Sequence, residues 1–355
     1  MIIKMEKKNF NYVTVLSVIS AIAVVFLHTN SCFWTFRRDH YWASANIIES
    51  VFYFAVPVFF MISGATLIDY MERYSTKVFL KKRFKKTVIP FLVWSVVGLV
   101  YQSYRLRVPP LFSENINLKY VFNGILKTSF VSIYWFFPVL FCVYLCMPLF
   151  ASVYKAKRKE VFEYLLIVGF ICNILIPFIN KVFNLNFVWP FSVSVISGYL
   201  FYVILGAYLS HYEIPKYAVY AIYGLSILGL ALHMVGTYVL SMDQGKIVTT
   251  FKDYTRLPCI MYSAGIFLFF MRNSDKIMKG KVERIFQFLS KYTFALYLMH
   301  YYIMDVLSHI FKVYLNIPTT SLIYRLGTPV IIVIIVLIIT AVIRKIKFLR
   351  WIVPN

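Results

Sequence analysis

The stretch VLSVISAIAVVFLHTN, residues 15–30, decides the fold class of this chain. With its flanks it is long enough for a membrane helix, which needs about 20 mostly apolar residues. It follows three lysines, as a signal peptide would, but it is too long, and polar and aromatic residues replace a small-residue cleavage site. We therefore expect an uncleaved first span with one ionisable side chain, His28, near its far end.

The composition extends this prediction to the whole chain. The chain has 355 residues, of which 61% are hydrophobic and 14% charged. A soluble monomer of this size would expose apolar patches far larger than such proteins tolerate. Aromatic residues reach 19%, which suits belts of amphipathic rings at membrane interfaces. The composition predicts an all-α polytopic membrane protein surrounded by membrane lipids.

Apolar segments of spanning length recur along the sequence, and we predict about ten transmembrane helices. Prolines inside several of them are tolerated because neighbouring helices satisfy the freed backbone groups. The predicted spans cover residues 11–33, 47–69, 87–104, 131–153, 161–179, 191–210, 216–235, 256–271, 291–311 and 322–343.

The basic residues predict the orientation of these spans. With the N-terminus inside, 25 of the 37 Lys and Arg residues fall in cytoplasmic segments. This bias predicts that both termini are cytoplasmic, the N-in and C-in arrangement. A net charge of +23 would suggest nucleic acid in a soluble protein. Here the charges lie between apolar runs, so we expect contact with anionic lipid headgroups and no nucleic-acid partner.

Ionisable residues inside spans are costly and are candidates for function. His28 lies in the outer third of its span, and an imidazole there can act as a general base toward a hydroxyl. Glu49 starts the second span at a similar depth, where its carboxylate could fix the tautomer of that imidazole. A packed histidine and an interfacial glutamate in contact with water would explain the same two positions without catalysis.

Three further ionisable residues are weaker candidates. His300 and Asp305 share the ninth span, but a spacing of five places them about 140° apart on a helix. A structural hydrogen bond from His300 to another span is as reasonable as catalysis. His233, near the outer end of the seventh span, is better explained by packing.

A basic cluster precedes the third span, and it includes Lys82, Arg83 and Lys86. Such residues bind lipid headgroups, and they also bind the phosphates of a cytosolic cofactor. No Walker-type loop supports ATP-driven transport, and no HExxH motif or Cys-x-x-Cys pair predicts a metal. Ser63 lacks the Gly-x-Ser-x-Gly frame of an α/β-hydrolase.

Five segments taken in order resemble the acyltransferase family 3 membrane proteins, and the resemblance covers essentially the whole chain, residues 1–355, as one domain. Within the family the chain is most similar to surface-glycan O-acetyltransferases of the enterobacterial common antigen type. The segments are AVVFLHTN (23–30), VPVFFMISGATL (56–67), FLKKRFKKTVIPFLVWS (79–95), YWFFPVLFCVYLCMPLF (134–150) and YTFALYLMHYYI (292–303).

The resemblance implies transfer of an acetyl group from cytosolic acetyl-CoA to a sugar hydroxyl at the outer face of the bacterial cytoplasmic membrane. His28 matches the essential histidine of the first span. Arg83 and Lys86, with Lys82 beside them, match the basic positions that meet CoA phosphates. Ser63, followed by Gly64, matches a Ser-Gly of the second span that serves close helix packing.

Two further residues match with less defined roles, and one position departs from the family. Trp135 and His300 match the tryptophan of the fourth span and the histidine of the ninth. The family usually has an arginine eleven residues before the histidine, where this chain has Ser17. The departure either weakens part of the acyl-CoA contact or means that another basic residue has taken it over, and it leaves room for a non-catalytic member of a glycan-assembly complex.

The sequence is also compatible with a different mechanism and with a different class of protein. An acyl-histidine intermediate could replace direct transfer with His28 as base. A polysaccharide or lipid-linked glycan exporter would equally have many spans with polar residues and prolines inside them.

Overall fold

The computed structural model describes residues 10–105 and 116–354, and these residues form helices and no strands. The three N-terminal lysines and most of the loop after the third predicted span lie outside the described residues. The α-helices are α1 (Asn11–Thr29), α2 (His40–Phe52), α3 (Ala55–Leu67), α4 (Thr76–Arg83), α5 (Ile89–Arg105), α6 (Leu118–Leu126), α7 (Phe136–Ala151), α8 (Lys155–Gly169), α9 (Ile176–Val182), α10 (Tyr199–His211), α11 (Lys216–Ala231), α12 (Thr237–Gln244), α13 (Leu257–Ile277), α14 (Gly280–Ser290), α15 (Thr293–Val313) and α16 (Leu322–Lys345).

Within the described ranges, seven helical segments are long and apolar enough to cross a membrane. They begin at α1, α2, α4, the turn before α7, α8, α11 and α16. The predicted spans 191–210, 256–271 and 291–311 contain α10, α13 and α15, of which α10 is a shorter apolar helix of 13 residues. The multi-pass helical architecture is confirmed, whereas ten spans and the N-in, C-in orientation stay predictions.

Three of the long segments contain a π turn, in which the backbone hydrogen bonds skip one residue more than in an α-helix. These turns join α4 to α5, α8 to α9 and α11 to α12 at Phe84–Val88, Phe170–Leu175 and Leu232–Gly236. π turns occur mostly as single turns inside α-helices, and frequently at functional sites. The first of them lies directly after Arg83.

Helix α1 occupies the centre of the described bundle. It packs against α2, α3, α13, α14, α15 and α16, and Val15, Leu16 and Val25 are completely buried. Leu16 belongs to a large apolar cluster with α3, α7, α10 and α13, whereas Val25 belongs to a second cluster with α5, α7, α15 and α16. Both ends of α1 are therefore held from two sides.

Helix α16 shows how the sequence separates lipid from protein contacts. Val330, Ile334 and Ile338 recur at intervals of four residues and are more than half exposed, at 54%, 52% and 60%. The opposite face buries Ile332 and Val336, so α16 presents one apolar face outward and one to the bundle. A helix with apolar residues on both faces is expected where lipid replaces water.

Helices α3 and α10 approach each other closely because each has a glycine in the contact. A Cβ atom on Gly64 would overlap the backbone carbonyl of Val203, and one on Gly206 would overlap the backbone of Met61. Small residues allow this approach in membranes, where dispersion contacts drive helix association. The structure thus agrees with the packing role predicted for the Ser63-Gly64 pair.

Replacing Gly64 by alanine should destabilise the protein, because either backbone must move to admit the methyl group. We expect Gly64→Ala to lower the free energy of unfolding by about 1–3 kcal/mol, as overpacked cores do. Gly224→Ala in α11 is the matched control, since a Cβ there meets nothing within 4 Å. Thermal unfolding in detergent measures both, and equal midpoints for the two variants would contradict the close contact.

Candidate functional site

Two histidines that are distant in the sequence meet between α1 and α15. Nδ1 of His28 lies 2.7 Å from Nε2 of His300. The two rings are nearly parallel, with an interplanar angle of 8° and centroids 4.9 Å apart. His300 is completely buried, while His28 keeps part of its surface accessible.

The hydrogen bonds around this pair define which nitrogen of each ring carries the proton. Nδ1 of His300 lies 2.9 Å from the carbonyl oxygen of Leu296, which can only accept. A neutral His300 therefore donates from Nδ1 and accepts at Nε2, so Nδ1 of His28 must donate to it. Nε2 of His28 is left with a free lone pair, and it forms no hydrogen bond with another described residue.

This chain of groups has the features that a general base requires at His28. A general base needs an unprotonated nitrogen at the reacting position, and a second group that fixes the tautomer. His300 supplies the second function, with the Leu296 carbonyl behind it. In pairs of this kind one group is the base and the other fixes its orientation. The orienting group is usually a carboxylate, and here it is a histidine.

The hydrogen bond between His28 and Glu49 that the sequence allowed as one alternative is not formed. Oε2 of Glu49 instead accepts from Nδ2 of Asn30, at 3.3 Å, and the Glu49 side chain is only 3% exposed. The sequence predicted that Glu49 lies at about the level of the end of α1. It could not predict toward which neighbouring helix the side chain faces around the axis of α2. Glu49 could act on the site only indirectly, through its hydrogen bond with Asn30, and a catalytic role for it stays a prediction.

The charge that faces Glu49 comes from a loop. Lys252, between α12 and α13, is 1% exposed, with Nζ 3.4 Å from Oγ of Ser50. Its ammonium also lies over the rings of Phe33 and Tyr53, 4.5 Å and 5.0 Å from their centroids. Burial lowers the pKa of Lys252 to about 8, and attraction to Glu49 limits the shift.

A cavity of about 170 Å³ is lined by neighbours of the basic cluster and by a neighbour of His300. Its wall includes Thr87 and Tyr144 beside the cluster, and Tyr297, whose ring centroid lies 5.8 Å from that of His300. Ser63 also lines it, and its hydroxyl donates to the Phe59 carbonyl at 3.0 Å. The cavity lies between the predicted spans two, three, four and nine, and neither histidine of the pair is part of its wall.

Of the three basic candidates, Arg83 contacts a residue of the cavity wall. Its guanidinium lies over the Tyr144 ring, 5.7 Å from the centroid, and Thr87 one turn later lines the cavity wall. Nε of Arg83 is buried and has no partner among the described residues. Lys82 lies instead over the Tyr74 ring at 3.9 Å, and Lys86 is exposed.

A family model, described as an acyltransferase domain (Acyl_transf_3), matches residues 10–343, which is nearly the whole chain. The chain belongs to the acyltransferase 3 family. Family membership implies membrane acyltransferase activity, as the sequence motifs predicted. No curated protein and no solved structure matches the chain.

The acyltransferase 3 motif residue Trp135 lies outside the cavity. Its ring faces those of Tyr199 and Tyr254, each 5.9 Å away between centroids. The next residue, Phe136, lines the cavity. Trp135 therefore lies in an aromatic group at the end of the bundle that is remote from Arg83.

Ser17, which the resemblance aligns with the usual family arginine, is partly buried in α1. Val18 beside it lines a small cavity of about 20 Å³ with Tyr292 and residues of α15 and α16. Arg344 lies over the Tyr292 ring at 4.9 Å, but its guanidinium donates to the carbonyls of Lys291, Val353 and Pro354. The guanidinium of Arg344 is thus already hydrogen-bonded, mostly to the C-terminal segment.

Two further ionisable candidates lie away from the pair. The Tyr101 hydroxyl donates to Oδ2 of Asp305 at 2.6 Å, which links α5 to α15. His233 is 1% exposed and packs its ring against Tyr53. Among the described residues, no cluster of three or more His, Cys, Asp or Glu side chains could hold a metal ion.

Sequence reasoning missed three residues of this region: Asn30, Lys252 and Arg325. Asn30 stood in the quoted motif, directly after Thr29, without an assigned role. Lys252 was assigned to the loop before the predicted span 256–271, and Arg325 lay inside the predicted span 322–343 without an assigned role, whereas the structure buries both. The signal of Arg325 was a charged residue inside a span, and that of Lys252 was a basic residue on the side where the charge bias leaves few.

Neutralising Glu49 alone should destabilise the protein, because Lys252 would keep a buried charge without a counter-charge. We expect Glu49→Gln to lower the free energy of unfolding by about 3–5 kcal/mol. The double variant Glu49→Gln with Lys252→Met should recover much of this loss in thermal unfolding measurements. A double variant that is no more stable than Glu49→Gln would show that the two charges do not compensate each other.

Proposed function

We propose that this acyltransferase moves an acetyl group from cytosolic acetyl-CoA to a hydroxyl of a surface or lipid-linked glycan. His28 is the general base, and His300 is the residue that positions it. The single observation that carries this proposal is the chain from the Leu296 carbonyl through His300 to His28. It leaves Nε2 of His28 unprotonated and free of described partners.

The proposed transfer balances without any further reactant. Nε2 of His28 takes the proton of the acceptor hydroxyl, and the oxygen attacks the thioester carbonyl carbon. A C–O bond forms, the C–S bond breaks, and His28 returns the proton to the leaving sulfur. Its Nδ1–H bond to His300 is kept throughout, so the ring does not have to turn.

The basic cluster beside the cavity fits the donor. A CoA thioester carries its phosphates far from its reacting carbon, and guanidinium groups bind phosphates with directed hydrogen bonds. Arg83 offers a buried, unpartnered Nε next to Tyr144 of the cavity wall, while exposed Lys82 and Lys86 add positive charge around it. Ser63, Thr87 and Tyr144, which carry hydroxyl groups, line the cavity itself.

The proposed location is the bacterial cytoplasmic membrane, with ten spans and both termini in the cytoplasm. The support is the bias of basic residues, with 25 of 37 on the side that includes Arg83. The donor then enters at the cytoplasmic face, and the acceptor meets His28 from the outer face. A surface glycan of the enterobacterial common antigen kind is the acceptor class that the motifs favour.

Removing the base should abolish transfer without affecting donor binding. We expect His28→Ala to lower the rate of acetyl transfer about 10²- to 10⁴-fold. His300→Gln should retain more activity than His300→Phe, because a glutamine carbonyl can accept from Nδ1 of His28 and a phenyl ring cannot. The measurement is His28-dependent acetyl transfer or acetyl-CoA hydrolysis by the purified protein.

The two competing functions predict different results for the same variants. A glycan exporter would keep its transport in His28→Ala and would show no acetyl transfer in the wild type. A non-catalytic member of a glycan-assembly complex would show neither reaction. Equal rates of acetyl transfer for His300→Gln and His300→Phe would show that His300 does not position His28.

Donor binding should depend on Arg83. We expect Arg83→Ala to weaken acetyl-CoA binding about tenfold or more in calorimetry, because a charge-assisted hydrogen bond to phosphate is lost. Lys85→Ala is the matched control, since Lys85 is an exposed cation of the same π turn. If wild type and Arg83→Ala bind acetyl-CoA equally well, the CoA phosphates do not bind at Arg83. If the wild type does not bind acetyl-CoA at all, the same measurement is made with longer acyl-CoAs.

A further inference from the structure

One buried arginine in the described structure has no carboxylate in contact with it. The buried members of the Asp, Glu, Lys and Arg class are Glu49, Arg158, Lys252 and Arg325. Arg158 pairs with Asp69 at 2.6 Å, and Glu49 and Lys252 attract each other from beyond 4.0 Å. Arg325 likewise has no described carboxylate within 4.0 Å, and the carboxylate that attracts it from a distance, Asp39, already has a partner in Arg37.

The guanidinium of Arg325 is only partly satisfied by hydrogen bonds. It is 0% exposed, with Nη1 3.2 Å from Oδ1 of Asn30 and Nη2 2.7 Å from Oγ of Ser44. Nε is buried and has no partner among the described residues. The carboxylate of Asp39 acts on it from a distance, but Asp39 is bonded to Arg37 at 2.7 Å.

Its place in the helix adds to this cost. Arg325 lies in the first turn of α16, whose N-terminus favours anions and disfavours cations. A buried charge without a partner is among the most costly features of a protein interior. A site that is complementary to an anion from the ligand explains such a residue, because the ligand then supplies the missing charge.

Arg325 is also close to the proposed base. Its backbone carbonyl accepts from Oγ1 of Thr29 at 3.5 Å, and its Nη1 donates to Asn30. These two residues directly follow His28. Arg325 thus contacts the end of α1 from its place in α16, whereas the cavity wall reaches a neighbour of His300, Tyr297.

We propose that Arg325 binds a carboxylate or phosphate of the acyl acceptor, so that the enzyme selects acidic sugars. The proposal rests on the proposed function for the identity of the acceptor. Ser44, which is only partly buried, covers the guanidinium, and its own hydroxyl proton is donated to the Tyr41 carbonyl at 2.9 Å. An incoming anionic oxygen can therefore replace Ser44 as acceptor at Nη2 without leaving the serine donor unpaired.

Equilibrium binding of simple sugars to the purified full-length protein tests this inference independently of acyl transfer. The probes are glucuronate for the carboxylate, glucose 6-phosphate for the phosphate, and glucose as the neutral reference. We expect one anionic probe to bind at least about tenfold more tightly than glucose, and this preference to vanish in Arg325→Gln. Arg325→Lys should keep part of this preference, because lysine retains the positive charge but lacks the paired N–H donors of the guanidinium.

Three controls separate this inference from the proposed function and from misfolding. Arg38→Gln removes an exposed guanidinium at the same end of the bundle and should leave the preference intact. His28→Ala should lose acyl transfer yet keep anion binding, so failure of the proposed function leaves this test intact. Thermal unfolding verifies that Arg325→Gln is folded, and Arg325→Lys carries the test if it is not.

The result that overturns the inference is equally defined. Equal affinity of the wild type for glucose and both anionic probes, or no saturable binding of either anion, rejects the anionic subsite. An unchanged preference in folded Arg325→Gln rejects it as well. Preference for glucuronate alone identifies a carboxylate acceptor, and preference for glucose 6-phosphate alone identifies a phosphate-bearing one.

Discussion

The hydrogen bond between His28 and His300 is the interaction on which the candidate site depends. It ties the end of α1, the central helix of the described bundle, to a completely buried ring on α15. Because the Leu296 carbonyl can only accept, the protons of both rings are fixed in one order. The reactivity of His28 is thus set by a backbone carbonyl two groups away, and α15 must keep its register for this to hold.

The bundle around this bond follows the rule that buried polar groups need partners. Glu49 has Asn30 and the charge of Lys252, Asp305 has Tyr101, and Arg158 has Asp69. Other buried polar atoms depart from it: the Nε atoms of Arg83, Arg256 and Arg325 and both ring nitrogens of His233 have no partner among the described residues. In the proposed function, two of these departures have a purpose, because Arg83 would meet the donor and Arg325 the acceptor.

The sequence predicted the helical membrane architecture, the family and the individual candidate residues, because apolar length and local motifs are properties of single segments. It could not pair His28 with His300, since the contact between the first and ninth predicted spans is not determined by chain order. It misplaced the partner of Glu49, because depth in the membrane follows from position whereas rotation follows from packing. It also treated Lys252 as a loop charge, although the loop turns its side chain into the bundle.

The π turn at Phe84–Val88 has a consequence for how related chains should be compared. A π turn holds one residue more than the α turn it replaces, so it arises from a single insertion in an α-helix. Deleting that residue would turn Arg83 by about 100° around the helix relative to Pro90, away from the cavity. The number of residues between the arginine and the proline is therefore as informative as the residues themselves, and relatives with a shorter interval would present a different side chain to the donor.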